Sequence, residues 1–199
     1  GKNISDLTGI EGFSKLEYLN ISLLYNDQTK RNNISNLNLS NNLNLTDLRC
    51  SCNKLTYLNL SNNINLKILY LDNNKFNGID VSKNTALKEL NCSNNNLTYI
   101  DVTKNTSLAI LNVSENQLSD LNVSKNLLLT ALSCQNNQLT NIDVTKNTKI
   151  THFTCGANKL SNLDVSKNTD LGFLNCRNNL LTGLDIGSNT RLSAIECNN

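Results

Sequence analysis

The sequence predicts a β-rich solenoid, a right-handed coil of about eight turns with parallel sheets. Three observations carry this. The 199 residues repeat with a fixed period of 21, apolar positions alternate in short runs, and proline is absent. A fixed period in this range is the mark of a stacked-repeat architecture. Period-2 alternation is that of a half-buried strand, and no proline interrupts it.

The repeat starts at Leu45 and restarts at Leu66, Leu87, Leu108, Leu129, Ile150, Leu171 and Leu192. Each turn contains two similar halves. In one, Leu87-x-x-Leu90-x-Cys92-x-x-Asn95 is followed by Leu97-x-x-Ile100-x-Val102-x-x-Asn105. Neither half holds helical spacing long enough for a helix, so each half is expected to supply one strand to its own sheet, with neighbouring strands roughly 4.8 Å apart. Two asparagine columns punctuate the turns, one from Asn53 to Asn179 and the other from Asn42 to Asn189. An amide carries two donors and an acceptor, so these side chains suit corners where strand ladders leave backbone groups open.

An earlier rung, Leu16-x-x-Leu19-x-Ile21, does not reach its asparagine until Asn32, eight residues late. An inserted loop at about 22–31 accounts for this, and insertions in repeats often fall on the binding side. The expected organisation is an N-terminal cap segment at 1–15 and a solenoid at 16–199. Gly1 in place of Met, and a last rung that breaks off at Asn199, read as a segment of a longer chain.

The pattern L-x-x-L-x-L/C-x-x-N-x-L resembles the conserved segment of leucine-rich repeats. The 21-residue form with nested halves is similar to the IRREKO-type bacterial subclass. Leu163-Asp164-Val165-Ser166-Lys167-Asn168-Thr169 and Leu174-Asn175-Cys176-Arg177-Asn178-Asn179 resemble repeats in surface and secreted proteins of Bacteroidetes and in internalin-like proteins. The opening Leu7-Thr8-Gly9-Ile10-Glu11-Gly12-Phe13 resembles the first repeats of those chains. The resemblance implies a leucine-rich-repeat solenoid and an extracellular or bacterial cell-surface location. It implies no single function, because such repeats serve adhesion, host-protein capture and spacing alike.

Composition excludes several classes. Net charge is +2, from 18 basic and 16 acidic residues, and no basic cluster interleaves with aromatics, so no nucleic-acid partner is expected. No apolar run approaches the ~18 residues of a membrane span. Six of the seven cysteines (Cys50, Cys92, Cys134, Cys155, Cys176 and Cys197) share the slot of Leu71 and Val113, which reads as small buried hydrophobes. Cys52 sits in a slot held elsewhere by Asn73, Asn94 or Glu115 and is expected to be exposed. With one histidine and Cys50-Ser51-Cys52 in place of C-x-x-C, neither a zinc site nor any other metal or cofactor is expected. Asp80, Asp101, Asp143, Asp164 and Asp185 form a column three residues before a lysine column, read as compensating solvated stripes.

Outward positions that vary between turns are where repeat proteins dock partners. On the first half they include Tyr18, Arg49, Ile68, Tyr70, Ile110, His152 and Phe173, with Arg177 just beyond and Tyr25 in the inserted loop. Aromatic and arginine side chains anchor interfaces disproportionately. The expected function is a noncatalytic protein-binding or adhesion module capturing a host protein or a surface glycan. A structural stalk is the alternative, and a polysaccharide-active enzyme is the third, disfavoured because acidic residues are spread at one per turn.

Overall fold

A computed structural model describes residues 4–22 and 32–198. After a short 3-10 helix at Ile10–Gly12 come nine strands of three residues each. They are β1 (Tyr18–Asn20), β2 (Asp47–Arg49), β3 (Ile68–Tyr70), β4 (Glu89–Asn91), β5 (Ile110–Asn112), β6 (Ala131–Ser133), β7 (His152–Thr154), β8 (Phe173–Asn175) and β9 (Ala194–Glu196). All pair in parallel, in chain order, in one nine-stranded sheet. From β2 onward the register advances 21 residues per strand, as in Asp47↔Ile68↔Glu89. Between β1 and β2 it advances from Tyr18 to Asp47, so the eight extra residues of the early rung sit between these strands. Asn32 takes the ladder position there, its Nδ2 donating to the Ile21 carbonyl at 3.0 Å. The inserted loop itself, with Tyr25, lies outside the described residues.

Each strand turns its middle residue inward. Leu48, Leu69, Leu90, Leu132, Phe153 and Leu174 are fully buried, in one continuous column of leucine, isoleucine, valine, phenylalanine and cysteine. Such a column is contiguous only because each turn covers the last, which is how a thin repeat buries apolar surface that one unit cannot.

The second half-repeat differs from the sequence expectation. Among the described residues it forms no second sheet. It runs extended, with one backbone bond to the preceding turn, such as Lys75 N to Leu55 O at 2.9 Å and Asn96 N to Phe76 O at 2.9 Å. The cause is local. Asp80 Oδ1 accepts the Ser82 N–H at 2.8 Å, and two turns follow, closed by Asn84 N to Val81 O and Leu87 N to Asn84 O. An Asp or Asn that captures the amide two residues ahead bends the chain, as Asn91 and Asn112 also do at the ends of their strands. The acidic column is thus a column of turn-formers. The same bond recurs at Asp101, Asp143, Asp164 and Asp185. Hydrogen bonds from Ser82 hold the Asp80 carboxyl below its ordinary range, with Lys83 a minor contributor.

The two asparagine columns bond differently. Asn95 Nδ2 donates to the carbonyls of Leu71, Cys92 and Ser93, each at 3.1 Å, and its Oδ1 accepts the Phe76 N–H at 3.0 Å. Asn84, in the other column, donates to Leu60 O at 3.1 Å and Asn63 O at 2.9 Å. Its Oδ1 is buried without a partner, as are those of Asn42, Asn63, Asn105, Asn126, Asn147, Asn168 and Asn189.

Asn95→Leu should therefore cost more than a lost contact. It strands buried carbonyls and one N–H, at roughly 1–3 kcal/mol per unpaired group. Urea unfolding should show the midpoint drop well below that of the parent chain; an unchanged midpoint would refute the ladder's role.

Candidate functional site

Parallel register aligns the outward residues of the strands in two columns. One runs Tyr18, Asp47, Ile68, Glu89, Ile110, Ala131, His152, Phe173 and Ala194. The other runs Asn20, Arg49, Tyr70, Asn91, Asn112, Ser133, Thr154, Asn175 and Glu196. Tyr18, Ile110 and His152 are exposed, while Arg49, Ile68, Tyr70 and Phe173 are half-buried on the same face.

Three adjacent strands, β2 to β4, carry a connected cluster. Arg49 Nε donates to Asp47 Oδ1 at 3.0 Å and its NH2 group to Oδ2 at 3.1 Å. This two-point contact fixes the guanidinium plane. The same guanidinium lies 4.9 Å from the Tyr70 ring centroid, within cation–π range. Tyr70 Oη donates to Glu89 Oε2 at 2.6 Å. Asp47 and Glu89 are outward residues not among the site residues expected from the sequence. Their signal is the one-turn register that sets a carboxylate beside the arginine and another beside the phenol.

A second group, on β7 to β9, begins three strands beyond β4, about 14 Å at a strand spacing of ~4.8 Å. The His152 and Phe173 rings sit with centroids 6.4 Å apart. Asn175 Nδ2 donates to Glu196 Oε2 at 2.6 Å, and Arg177, off the strand, approaches the same carboxylate at 3.5 Å. Tyr18 lies beside Asp47 at the edge of the first cluster, its Oη accepting the Asn20 Nδ2–H at 3.0 Å.

Beneath this face runs the cysteine column. None of the seven cysteines forms a disulfide. Burial pushes the Cys92 and Cys134 thiols up to about 12 and Cys176 to about 11, which leaves them as neutral, unreactive hydrophobes. Two expectations are corrected. Cys52 is buried, although Asn94 and Glu115 of the same slot are exposed and the smaller Ala157 is half-buried. Cys197, expected inside, is exposed on the last turn. Among the described residues there is no group of three or more His, Cys, Asp or Glu placed to hold a metal ion, and no helix is long and apolar enough to cross a membrane.

No protein-family model matches the chain, and no curated protein matches it. Solved structures do. The functional domain of InlJ from Listeria monocytogenes, described as including a cysteine ladder, is 36% identical over 98% of this chain and 46% of its own, with a TM-score of 0.79. The L. monocytogenes internalin InlF is 25% identical over 99% of this chain and 58% of its own, at 0.88. The leucine-rich-repeat ectodomain of the Arabidopsis thaliana receptor kinase GASSHO1/SCHENGEN3, solved in complex with CASPARIAN STRIP INTEGRITY FACTOR 2, is 25% identical over 81% of this chain and 22% of its own, at 0.68. The fold is that of a leucine-rich-repeat solenoid, and the chain spans about half the length of the two listerial relatives.

Tyr70 should titrate abnormally high. Burial first, and then its bond to Glu89, push the phenol up to about 12 from an ordinary value of about 10. A raised value in the fold means that the stabilisation is whole below about pH 10 and is lost as pH climbs toward 12. Ultraviolet titration of tyrosinate should lose its highest-pH component in Tyr70→Phe. Thiol labelling of the folded protein should modify Cys197 first, and Cys197→Ser should remove the fast phase; rapid modification of Cys52 would contradict its burial.

Proposed function

We propose that this leucine-rich-repeat solenoid, similar in fold to the bacterial internalins, is a noncatalytic protein-binding module of a bacterial secreted or cell-surface protein, and that it captures a host protein along the sheet. The observation that carries the reading is the Asp47–Arg49–Tyr70–Glu89 cluster on the outward sheet face. Interfaces draw most of their energy from a few preorganised Arg and aromatic anchors, and here an arginine and a tyrosine are held by neighbours in fixed rotamers before any partner arrives. Ile68 and Ile110 flank the cluster with apolar surface. His152, Phe173 and Arg177 provide a second anchor group on the same side. Two anchor groups three strands apart suit an extended macromolecular surface rather than a small molecule. The plant neighbour, solved in complex with CASPARIAN STRIP INTEGRITY FACTOR 2, supports a binding reading for the architecture.

Capture from host serum or matrix extract tests this. The native chain should retain a partner that the Tyr70→Ala/Phe173→Ala variant loses by tenfold or more in affinity, since each anchor is worth ~2 kcal/mol or more. Equal capture by both would eliminate this face, and no capture by either would move the assignment to a structural stalk.

A further inference from the structure

The side opposite the sheet carries a second set of aromatics. Within each turn one outward position lies two residues past the start of the second half, and the period of 21 places Asn36, Tyr57, Gly78, Tyr99, Asp120, Asn141, Asn162 and Gly183 in one column. Its tyrosines are 72% and 64% exposed, more than the aromatics of β3 and β8. Between them stands glycine. Backbone bonds from Lys75 N to Leu55 O and from Asn96 N to Phe76 O hold these three turns at one strand spacing. Tyr57 and Tyr99 are therefore about 10 Å apart, twice ~4.8 Å, with no side chain between them. A Cβ added at Gly78 would meet nothing within 4 Å. A groove of about 90 Å³ opens on the Tyr57 side of Gly78, lined by Tyr57, Asn59, Gly78, Asp80 and Lys83 among others, and Tyr99 stands one turn further on.

We propose that Tyr57, Gly78 and Tyr99 form a carbohydrate-binding slot that takes a neutral pyranose of an oligosaccharide, at a site separate from the protein-binding sheet face. The chemistry selects the ligand. A sugar ring has apolar C–H faces and a polar equator, and an amphipathic phenol accommodates the former. The Asp80 carboxylate accepts hydroxyl protons, the Lys83 ammonium donates to hydroxyl oxygens, and the Asn59 amide does both. Opposite charges side by side at the rim suit neutral hydroxyls and give no net pull on a charged chain. The slot is ring-sized, too small for a helix. The backbone there is already bonded turn to turn, so an extended peptide finds no edge to pair with. Asp80 stays ionised throughout the working range, because hydrogen bonds from Ser82 hold its carboxyl below the ordinary value. A water-exposed slot of this kind binds a sugar weakly on its own, and a polymer gains by occupying it repeatedly.

Affinity electrophoresis through gels containing soluble neutral polysaccharides (galactomannan, xyloglucan, mixed-linkage β-glucan or dextran) tests the slot. The native chain should be retarded by at least one of them. Tyr57→Ala and Tyr99→Ala should each lose most of the retardation. Gly78→Leu should abolish it by filling the slot, with the parent's circular dichroism and melting temperature, because the position has ordinary backbone and open space. Tyr70→Ala, on the other face, should be retarded as strongly as the native chain, so failure here is distinguishable from failure of the protein-binding assignment. Free passage through every gel overturns the proposal. So does retardation that survives Gly78→Leu, or retardation lost to a competing proline-rich peptide but not to the free oligosaccharide.

Discussion

Everything in this molecule rests on asparagine amides that reach from one turn to the backbone of another. Each turn reverses direction twice without a helix or a hairpin, so carbonyls point inward where no strand can meet them. Burying them unpaired is costly. Asn95 meets three carbonyls and one N–H, and its counterparts repeat the pattern. The second column is more lopsided. Asn84 and its equivalents give two protons and accept none. Aspartate would bring no donor, serine only one, and glutamine an extra methylene. The column is thus selected for its N–H groups, and the idle oxygen is the accompanying cost.

Because those bonds join equivalent positions, they fix the period at 21 and leave no freedom for a strand to slip. A slip by one residue would exchange the core face for the solvent face along the whole stack. With inward and corner positions committed, chemical variety is confined to the outward positions. On the sheet this produces an arginine stacked on a tyrosine, each anchored by an acid. On the other side it produces two tyrosines around a glycine. The faces share one scaffold but not one chemistry: the first has its charges paired in place, and the second presents aromatic planes beside polar groups that still face solvent.

The sequence made the solenoid legible because the repeat acts at long range: the residue 21 positions away is the neighbour that matters. The nine rungs, the inward cysteine column as far as Cys176 and the eight-residue excess in the first rung all follow from counting. The strands on the second half did not. Alternation there has the same period as in the sheet, and the amide capture by Asp80 and its equivalents has its match in the sheet half at Asn91 and Asn112, so the pattern does not separate the two halves. The outward columns were equally legible, but the Asp47 and Glu89 partnerships needed a register and a rotamer. The Tyr57–Gly78–Tyr99 arrangement lies in a half whose Asp, Ser and Thr positions repeat almost unchanged, and only the outward column beside them varies.

One column shows how far stacking overrides local preference. Cys52, Asn73, Asn94, Glu115, Asn136, Ala157 and Asn178 all adopt left-handed backbone, with φ between 50° and 58°. Asparagine tolerates this conformation, and it fills four of the seven places. Glutamate, alanine and cysteine do not, and each costs about 1–2 kcal/mol there. No such residue would choose that corner alone. It is held because the corner's N–H bonds across to the next turn, as Cys52 N does to Asp72 O and Glu115 N to Gln135 O, both at 2.9 Å. The conformation therefore belongs to the stack and not to the residue. The column thus dictates where the chain goes but not what reaches water: Cys52 is buried there while the smaller Ala157 is half-buried and Glu115 exposed.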